Sequence, residues 1–396
     1  MRIVMLAPFG IRPKGTLLAR MLPLAQALHQ RGHAVSLVAP AVHNPEDAGS
    51  RVVHGGIPVI HAPVTALPGP LATLAQSAVL LRLALAECPD LLHLFKPKGY
   101  GGLAVLASRL PLVVDMDDWE GFGGWNDLLP YPTSAKQLFA WQERDLPRRA
   151  AALTVASRTL ESLVWGMGVP PERVFYLPNG VATAPEPSAG QPTANPTPTM
   201  LLYTRFWELD LPELITALVA IYQAKPAARL LVVGRGEQGE EQQLLALAER
   251  AGVRAMITYQ GWLEPASIPG VIAQATLALV PARDTLINRA RCSAKLLELL
   301  AAGLPVIASD VGEARHMVLP DQAGLIVPPA NPAALARAAI QLLNTPAHLA
   351  HYAAGARAAA ARYQWEHLAP AAEAAYRQAL HQASPSPKPS DPITMQ

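Results

Sequence analysis

The sequence predicts an α/β protein of two domains, each a parallel sheet with helices on both faces. Three observations carry that expectation. Short apolar runs alternate with helical segments along the whole 396-residue chain, the pattern of strands covered on both sides. Residues 182–199, rich in Pro, Thr, Ala and Ser without a period, separate two such series as an interdomain linker does. The stretch 291–310, Arg-Cys-Ser-Ala-Lys-Leu-Leu-Glu-Leu-Leu-Ala-Ala-Gly-Leu-Pro-Val-Ile-Ala-Ser-Asp, reads as a helix cap, a short helix, a stop and a buried strand in succession.

Composition narrows the functions. Half of the residues are apolar (51%) and 16% are charged, which excludes an intrinsically disordered class. A net charge of +2 without a basic block argues against a nucleic-acid partner. The two cysteines, Cys88 and Cys292, lie far apart and lack metal-ligand spacing, so a cytoplasmic chain without disulfides is expected. Residues 1–8 are too short an apolar run for a signal peptide and read as a first strand. The apolar segment Leu71 to Ala86, interrupted by Gln76 and Arg82, falls short of the roughly 20 residues a bilayer span needs. A buried helix is expected there, with surface contact at a membrane as the alternative.

The strand runs of the first half are Ile3 to Leu6, Ala34 to Ala39, Val59 to His61, Asp90 to Phe95, Leu112 to Met116, Leu153 to Ala156 and Val174 to Leu177. Ligands of parallel sheets bind beyond the carboxyl ends of the strands, so the segments after each run matter most. After the first run come Gly10, Lys14 and Gly15, two glycines that let backbone approach a ligand and a lysine that can face an anion. Pro23 should bend or break the following helix near its start. Lys96 and Lys98 bring positive charge to the end of the fourth run, as site residues or as solvated loop lysines.

The sequence after the fifth run, Asp115-Met-Asp-Asp-Trp-Glu120, places four carboxylates within six positions. Strand alternation puts Asp115 and Asp117 on one face and Asp118 on the other. With Trp119, Trp125 and three glycines following, this loop is expected to be a substrate site, with a merely solvated loop and an Asp-x-Asp metal site as the further readings.

The second half opens with the run Met200 to Phe206, whose strand ends at Arg205, and has later strands at Leu230 to Gly234, Met256 to Tyr259, Leu277 to Pro281, Val306 to Ser309 and Gly324 to Val327. In the 291–310 stretch Ser293 can cap the helix, and Gly303 and Pro305 stop it. The N-terminus of such a helix, at Ser293, Ala294 and Lys295, is a seat for phosphate. Glu298 follows about 7–8 Å further along the axis, where a carboxylate can accept from ribose hydroxyls. A solvated Glu on a core helix is the competing explanation.

Residues 295–309 resemble the donor-binding segment of retaining glycosyltransferases with the GT-B fold, family 4. The resemblance implies two Rossmann-like domains facing across a cleft: an acceptor-side domain at 1–182, a linker at 183–199, a donor domain at 200–365, a helix at 366–383 crossing back to the first domain, and a disordered tail at 384–396. It implies transfer of a sugar from a nucleotide-diphosphate sugar to a glycan, lipid or small-molecule hydroxyl, without a metal or other cofactor. Asp117, Arg205 and Lys295 become the expected catalytic residues. Gly15, Gly234, Gly236, Ser293, Ala294 and Glu298 are the expected donor contacts, and Lys14, Lys96, Asp115, Asp118, Trp119 and Glu120 the expected acceptor or sugar contacts. Cytoplasmic placement, with or without contact at the inner face of a membrane, follows.

Three positions depart from the family pattern: Phe95 stands for a second histidine after His93, Leu211 for a lysine, and Ala290 for the first of two acidic residues. The alternatives to a transferase are therefore a sugar-nucleotide epimerase of the same fold and a non-catalytic nucleotide- or sugar-binding relative.

Overall fold

Fourteen strands form two sheets, one in each half of the described chain. The computed structural model describes residues 1–8, 10, 15–182 and 197–383. Lys14, most of the expected linker and the expected tail at 384–396 lie outside the described residues.

The first sheet contains β1 (Arg2–Leu6), β2 (Ala34–Pro40), β3 (Arg51–His54), β4 (Ile57–Ala62), β5 (Leu91–Phe95), β6 (Leu112–Met116), β7 (Ala152–Val155) and β8 (Val174–Tyr176). Their order is β3-β4-β2-β1-β5-β6-β7-β8, parallel except where β3 runs antiparallel to β4. Alternation along β1 explains the two covered faces. Ile3 and Met5 join one core with Leu24, Leu28 and Tyr376, while Val4 and Leu6 join the other with Leu80. The edge strand β3 was not foreseen, because its solvent-exposed Arg-Val-Val lacks a buried run. Gly55 and Gly56, both at positive φ (54° and 85°), make the tight turn that pairs it with β4.

The second sheet contains β9 (Thr199–Tyr203), β10 (Arg229–Val233), β11 (Ile257–Gly261), β12 (Leu277–Val280), β13 (Val306–Ser309) and β14 (Gly324–Val327). All neighbours are parallel in the order β11-β10-β9-β12-β13-β14. Strand order reverses between β9 and β12, and crevices at such reversals hold ligands in parallel sheets.

The helix Trp365–Ala383 leaves the second domain and packs on the first. Its Tyr376 hydroxyl meets His93 Nδ1 at 2.9 Å, and Glu373 accepts from Arg31 Nε at 2.7 Å. Gly180 admits this helix, since a Cβ there would lie 2.6 Å from the Trp365 ring.

Pro23 has the expected effect. A π-helical stretch, Leu17–Met21, precedes the α-helix Leu22–Gln30, which carries Pro23 in its first turn; a residue without an N–H loosens the ladder there. The expectation of a buried helix after Leu71 needs correction. Helix Gly69–Ala86 buries only Gln76, Ser77, Leu80 and Ala84, a stripe at helical spacing, and leaves Leu71 61% and Leu74 60% exposed. Its apolar residues run all around the axis, whereas the sheet can cover only one side.

Candidate active site

One wall of the cleft is built at the ends of β5 and β6. Asp115 is fully buried and bound at both oxygens by Arg20, Nε to Oδ1 at 2.9 Å and Nη2 to Oδ2 at 2.6 Å, with the Thr154 hydroxyl donating to Oδ2. Arg20 also donates to the carbonyls of Leu177 and Pro178 and to Asn179 Oδ1. The expected sugar contact at Asp115 is therefore corrected: its acceptors are consumed inside the fold. For the same reason Asp115 and Asp117 do not converge as a metal-binding Asp-x-Asp pair.

Beyond Met116 the strand ends and the expected alternation stops. Lys96, held at φ 57°, lies 3.0 Å from Asp117 Oδ1, 2.7 Å from Asp118 Oδ2 and 2.9 Å from Glu120 Oε1. Lys98 Nζ lies 2.6 Å from Glu120 Oε2 and 3.1 Å from Asn126 Oδ1. Burial pushes the Glu120 carboxyl up, but Lys96 and Lys98 hold it at about 2. Both lysines and Glu120 are buried, so they neutralise one another rather than wait for an acceptor, and neither lysine is the solvated residue of the alternative reading. Trp119 is likewise an anchor. Its Nε1 donates to the Phe122 carbonyl at 2.7 Å, and Gly124 wraps it so closely that a Cβ would come within 2.4 Å of the Trp119 carbonyl.

Of the four carboxylates, Asp117 and Asp118 keep the most side-chain exposure, 10% and 27%. The Asp118 side chain is 27% exposed and acts on Cys292 of the second domain, whose thiol burial pushes up to about 12, with Glu313 and Asp118 adding to the shift. Asn179 ties the same place together, its amide 3.1 Å from Cys292 Sγ and its Nδ2 2.7 Å from the Cys292 carbonyl. His93 is no part of this wall. It sits between Tyr376 and Thr154, and burial lowers it to about 3, so it is a neutral core residue beside the buried Phe95.

The other wall starts at Cys292. Ser293 caps helix Ala294–Ala301 by accepting the Leu296 amide, leaving the first amides of that helix without intrahelical partners. Lys295 Nζ lies 4.6 Å from the centre of the Tyr203 ring. Tyr203 lies beside Glu298; desolvation raises the Glu298 carboxyl while Tyr203 and Lys295 pull it back. Arg205 is exposed and pairs with Glu237 at 2.7 Å. Ala290 is fully buried, so no acidic group occupies that position.

Several participants were missed by sequence reasoning. Glu208 is buried; its Oε1 accepts from the Thr204 hydroxyl and the Arg205 amide, both at 3.0 Å. Burial pushes its carboxyl up, but Arg291 and Lys295 hold it below the usual range. It is thus an internal counter-ion to Arg291 and Lys295, and Arg205 lies near enough to act on Lys295 as a third cation. Trp207 and Arg291 complete the cluster, with the guanidinium 4.9 Å from the ring centre. Their signal in the sequence was position alone, directly after a strand or before the helix.

The expected glycines divide. A Cβ at Gly234 would lie 1.8 Å from the Thr204 carbonyl, so backbone approach requires it. The amide of Gly236, an expected donor contact, donates to Glu241 Oε2 at 3.0 Å. Gly15 is exposed in the turn before the first helical stretch, and its carbonyl accepts from Ala19. Chemically, the two walls oppose a cationic helix terminus to a pair of carboxylates.

Residues 15–180 match the family described as Glycosyl transferase 4-like domain, and residues 197–345 match Glycosyl transferases group 1. The chain is 28% identical over 380 residues to phosphatidyl-myo-inositol mannosyltransferase of Mycobacterium leprae, covering 93% of this chain and 94% of that protein. It is 27% identical to D-inositol 3-phosphate glycosyltransferase of Xylanimonas cellulosilytica, with 93% of each covered. Among solved structures, sucrose-phosphate synthase from Thermosynechococcus elongatus superposes with a TM-score of 0.72 at 20% identity, covering 97% of this chain and all of that one (100%). Anabaena HepE, solved in complex with UDP and glucose, gives 0.69 at 19% identity, covering 95% and 99%.

Proposed function

The chain belongs to the GT-B glycosyltransferases of the family 4 type, and from that premise we propose that it moves a sugar from a nucleotide-diphosphate sugar to a hydroxyl acceptor, with retention at the anomeric carbon. The observation that carries this reading is the cationic cluster around the capped helix. Lys295 in its first turn is acted on by Arg205 and Arg291, and Glu298 lies a turn and a half further on from the cap. As the bond to the sugar breaks, negative charge grows on the leaving diphosphate. Prepositioned cations stabilise that charge, typically by about 3–4 kcal/mol for each donor that mutation removes. Glu298 would hold the ribose, and Asp117 and Asp118 would orient hydroxyls from the opposite wall.

The names of the relatives suggest the first substrates to try. Mannosyl transfer to phosphatidyl-myo-inositol and transfer to inositol phosphate are the printed activities, and a further relative is a GDP-mannose-dependent mannosyltransferase. The test is incubation with GDP-mannose or UDP-glucose and phosphatidylinositol or inositol phosphate. The expected result is free nucleoside diphosphate with a glycosylated product, whose anomeric configuration is read by NMR. An epimerised donor would support the epimerase reading instead, and binding without turnover the non-catalytic one.

A lipid acceptor would also account for the exposed apolar side of helix Gly69–Ala86, where Leu67, Leu71 and Leu74 are each at least half exposed. We place this side against the inner face of a membrane. Flotation with anionic vesicles should recover the protein, and Leu71→Gln with Leu74→Gln should abolish recovery; equal recovery of both proteins would remove this placement.

A further inference from the structure

We propose that Trp125 and Trp207 form an interdomain clasp that closes the cleft over the cationic cluster, positions Arg205 and Arg291, and must open to admit a nucleotide sugar. The role of the arginines rests on the function proposed above; the clasp itself does not. Trp125 belongs to the first domain and Trp207 to the second. Their rings meet edge to face in a close contact, with centroids 4.2 Å apart and planes inclined at 69°.

Each ring also carries a guanidinium. Arg205 of the second domain lies 5.6 Å from the Trp125 ring of the first, and Arg291 lies 4.9 Å from Trp207, both within cation–π range. The four side chains therefore run Arg205, Trp125, Trp207, Arg291. Moving the domains apart would separate Arg205 from the Trp125 ring and leave Glu237 of its own domain, at 2.7 Å, as its remaining contact.

Both tryptophans are presented by braced loops. The Trp125 amide donates to the Trp119 carbonyl at 3.0 Å, and the neighbouring Asn126 side chain is held by Lys98. Trp207 follows Phe206, a buried residue at φ 70°, and its carbonyl accepts from Arg283 Nη2 at 2.6 Å. These bonds fix the backbone that carries each ring, so the proposed opening is a movement of the domains that bear the two loops.

A second observation points to a ligand. Neither indole Nε1 has a hydrogen-bond partner among the described residues, and both are shielded from solvent. Buried N–H groups without acceptors are unfavourable. Oxygens of a diphosphate or sugar bound between Arg205 and Arg291 would satisfy them, so the closed clasp is better satisfied with substrate than without.

The test uses the full chain with one dye on each domain, and Trp125→Leu, Trp207→Leu and the double variant, which keep apolar bulk but remove the rings; Trp207→Phe serves as the conservative control. Energy transfer without ligand reads the interdomain distance. Each Leu variant should lengthen it, the double variant should lengthen it no further, and Trp207→Phe should stay near the wild type. Unchanged distance in the single variants, or additive changes in the double, would overturn the clasp. In the second arm GDP and UDP are titrated by calorimetry and stopped flow. The Leu variants should bind the nucleotide with an association rate about tenfold faster and an affinity about tenfold weaker, whereas an unchanged rate would refute gating. Failure of the wild type to bind either nucleotide would count against the proposed donor site, while the ligand-free distances would still decide the clasp.

Discussion

Arg20 and Asp115, 95 positions apart in the chain, form a two-point ion pair from which water is excluded. The pair joins the first helical stretch to the end of β6, and through Leu177, Pro178 and Asn179 to the exit from the first domain. Removing one partner leaves a buried charge uncompensated, which typically costs about 3–5 kcal/mol. Asp115→Ala should therefore lower the urea midpoint sharply. A stable variant that has lost only turnover would return Asp115 to the substrate site.

Glu298→Ala should behave in the opposite way. The side chain lies at the exposed side of its helix, so the melting temperature should hardly move. Loss of hydrogen bonds to a charged acceptor should weaken UDP or GDP binding by about 1.5–3 kcal/mol. Calorimetry giving the wild-type affinity would exclude the ribose role.

Lys295 should make nucleotide binding depend on pH. Burial lowers its pKa to about 8 from 10.5, with Glu208 opposing the shift and Arg205 and Arg291 adding to it. The diphosphate favours the charged lysine, so affinity should be highest below pH 8 and fall above it by up to about tenfold per pH unit. Between 8 and 10.5 the unfolded chain binds more protons at this site than the folded one, so this group's contribution to stability rises with pH through that window and is least favourable below it. Lys295→Met should flatten both profiles, and a wild-type slope in that variant would assign the titration elsewhere. The transfer rate should fall far more in Lys295→Ala than in Lys14→Ala; a near-normal rate in the former would remove Lys295 from the mechanism.

Asp117→Asn separates the two walls. It removes a charge 3.0 Å from Lys96 without changing shape. Turnover should fall while the Kd of GDP or UDP stays within a few fold. Equal losses in both would make Asp117 a donor contact.

Local chemistry made the architecture legible. Buried strands, a serine cap, a glycine stop and a proline break act through neighbours in the chain, so the order of strands and helices and the helix beginning after Ser293 could be read from residue types alone. The fate of the charged residues could not. An aspartate is a ligand when its acceptors are free and a structural element when an arginine fills them. Whether Arg20 meets Asp115, or Lys96 and Lys98 meet Glu120, depends on strands brought together from distant parts of the chain. The same holds for Arg291 and Lys295, which act on Glu208 only because β9 and β12 are neighbours. The sequence determined the two parallel sheets and the helix that begins after Ser293. Only the tertiary structure decided which charges neutralise one another inside the fold and which still face the cleft, because Coulomb energy and desolvation depend on distances and burial that no local spacing contains.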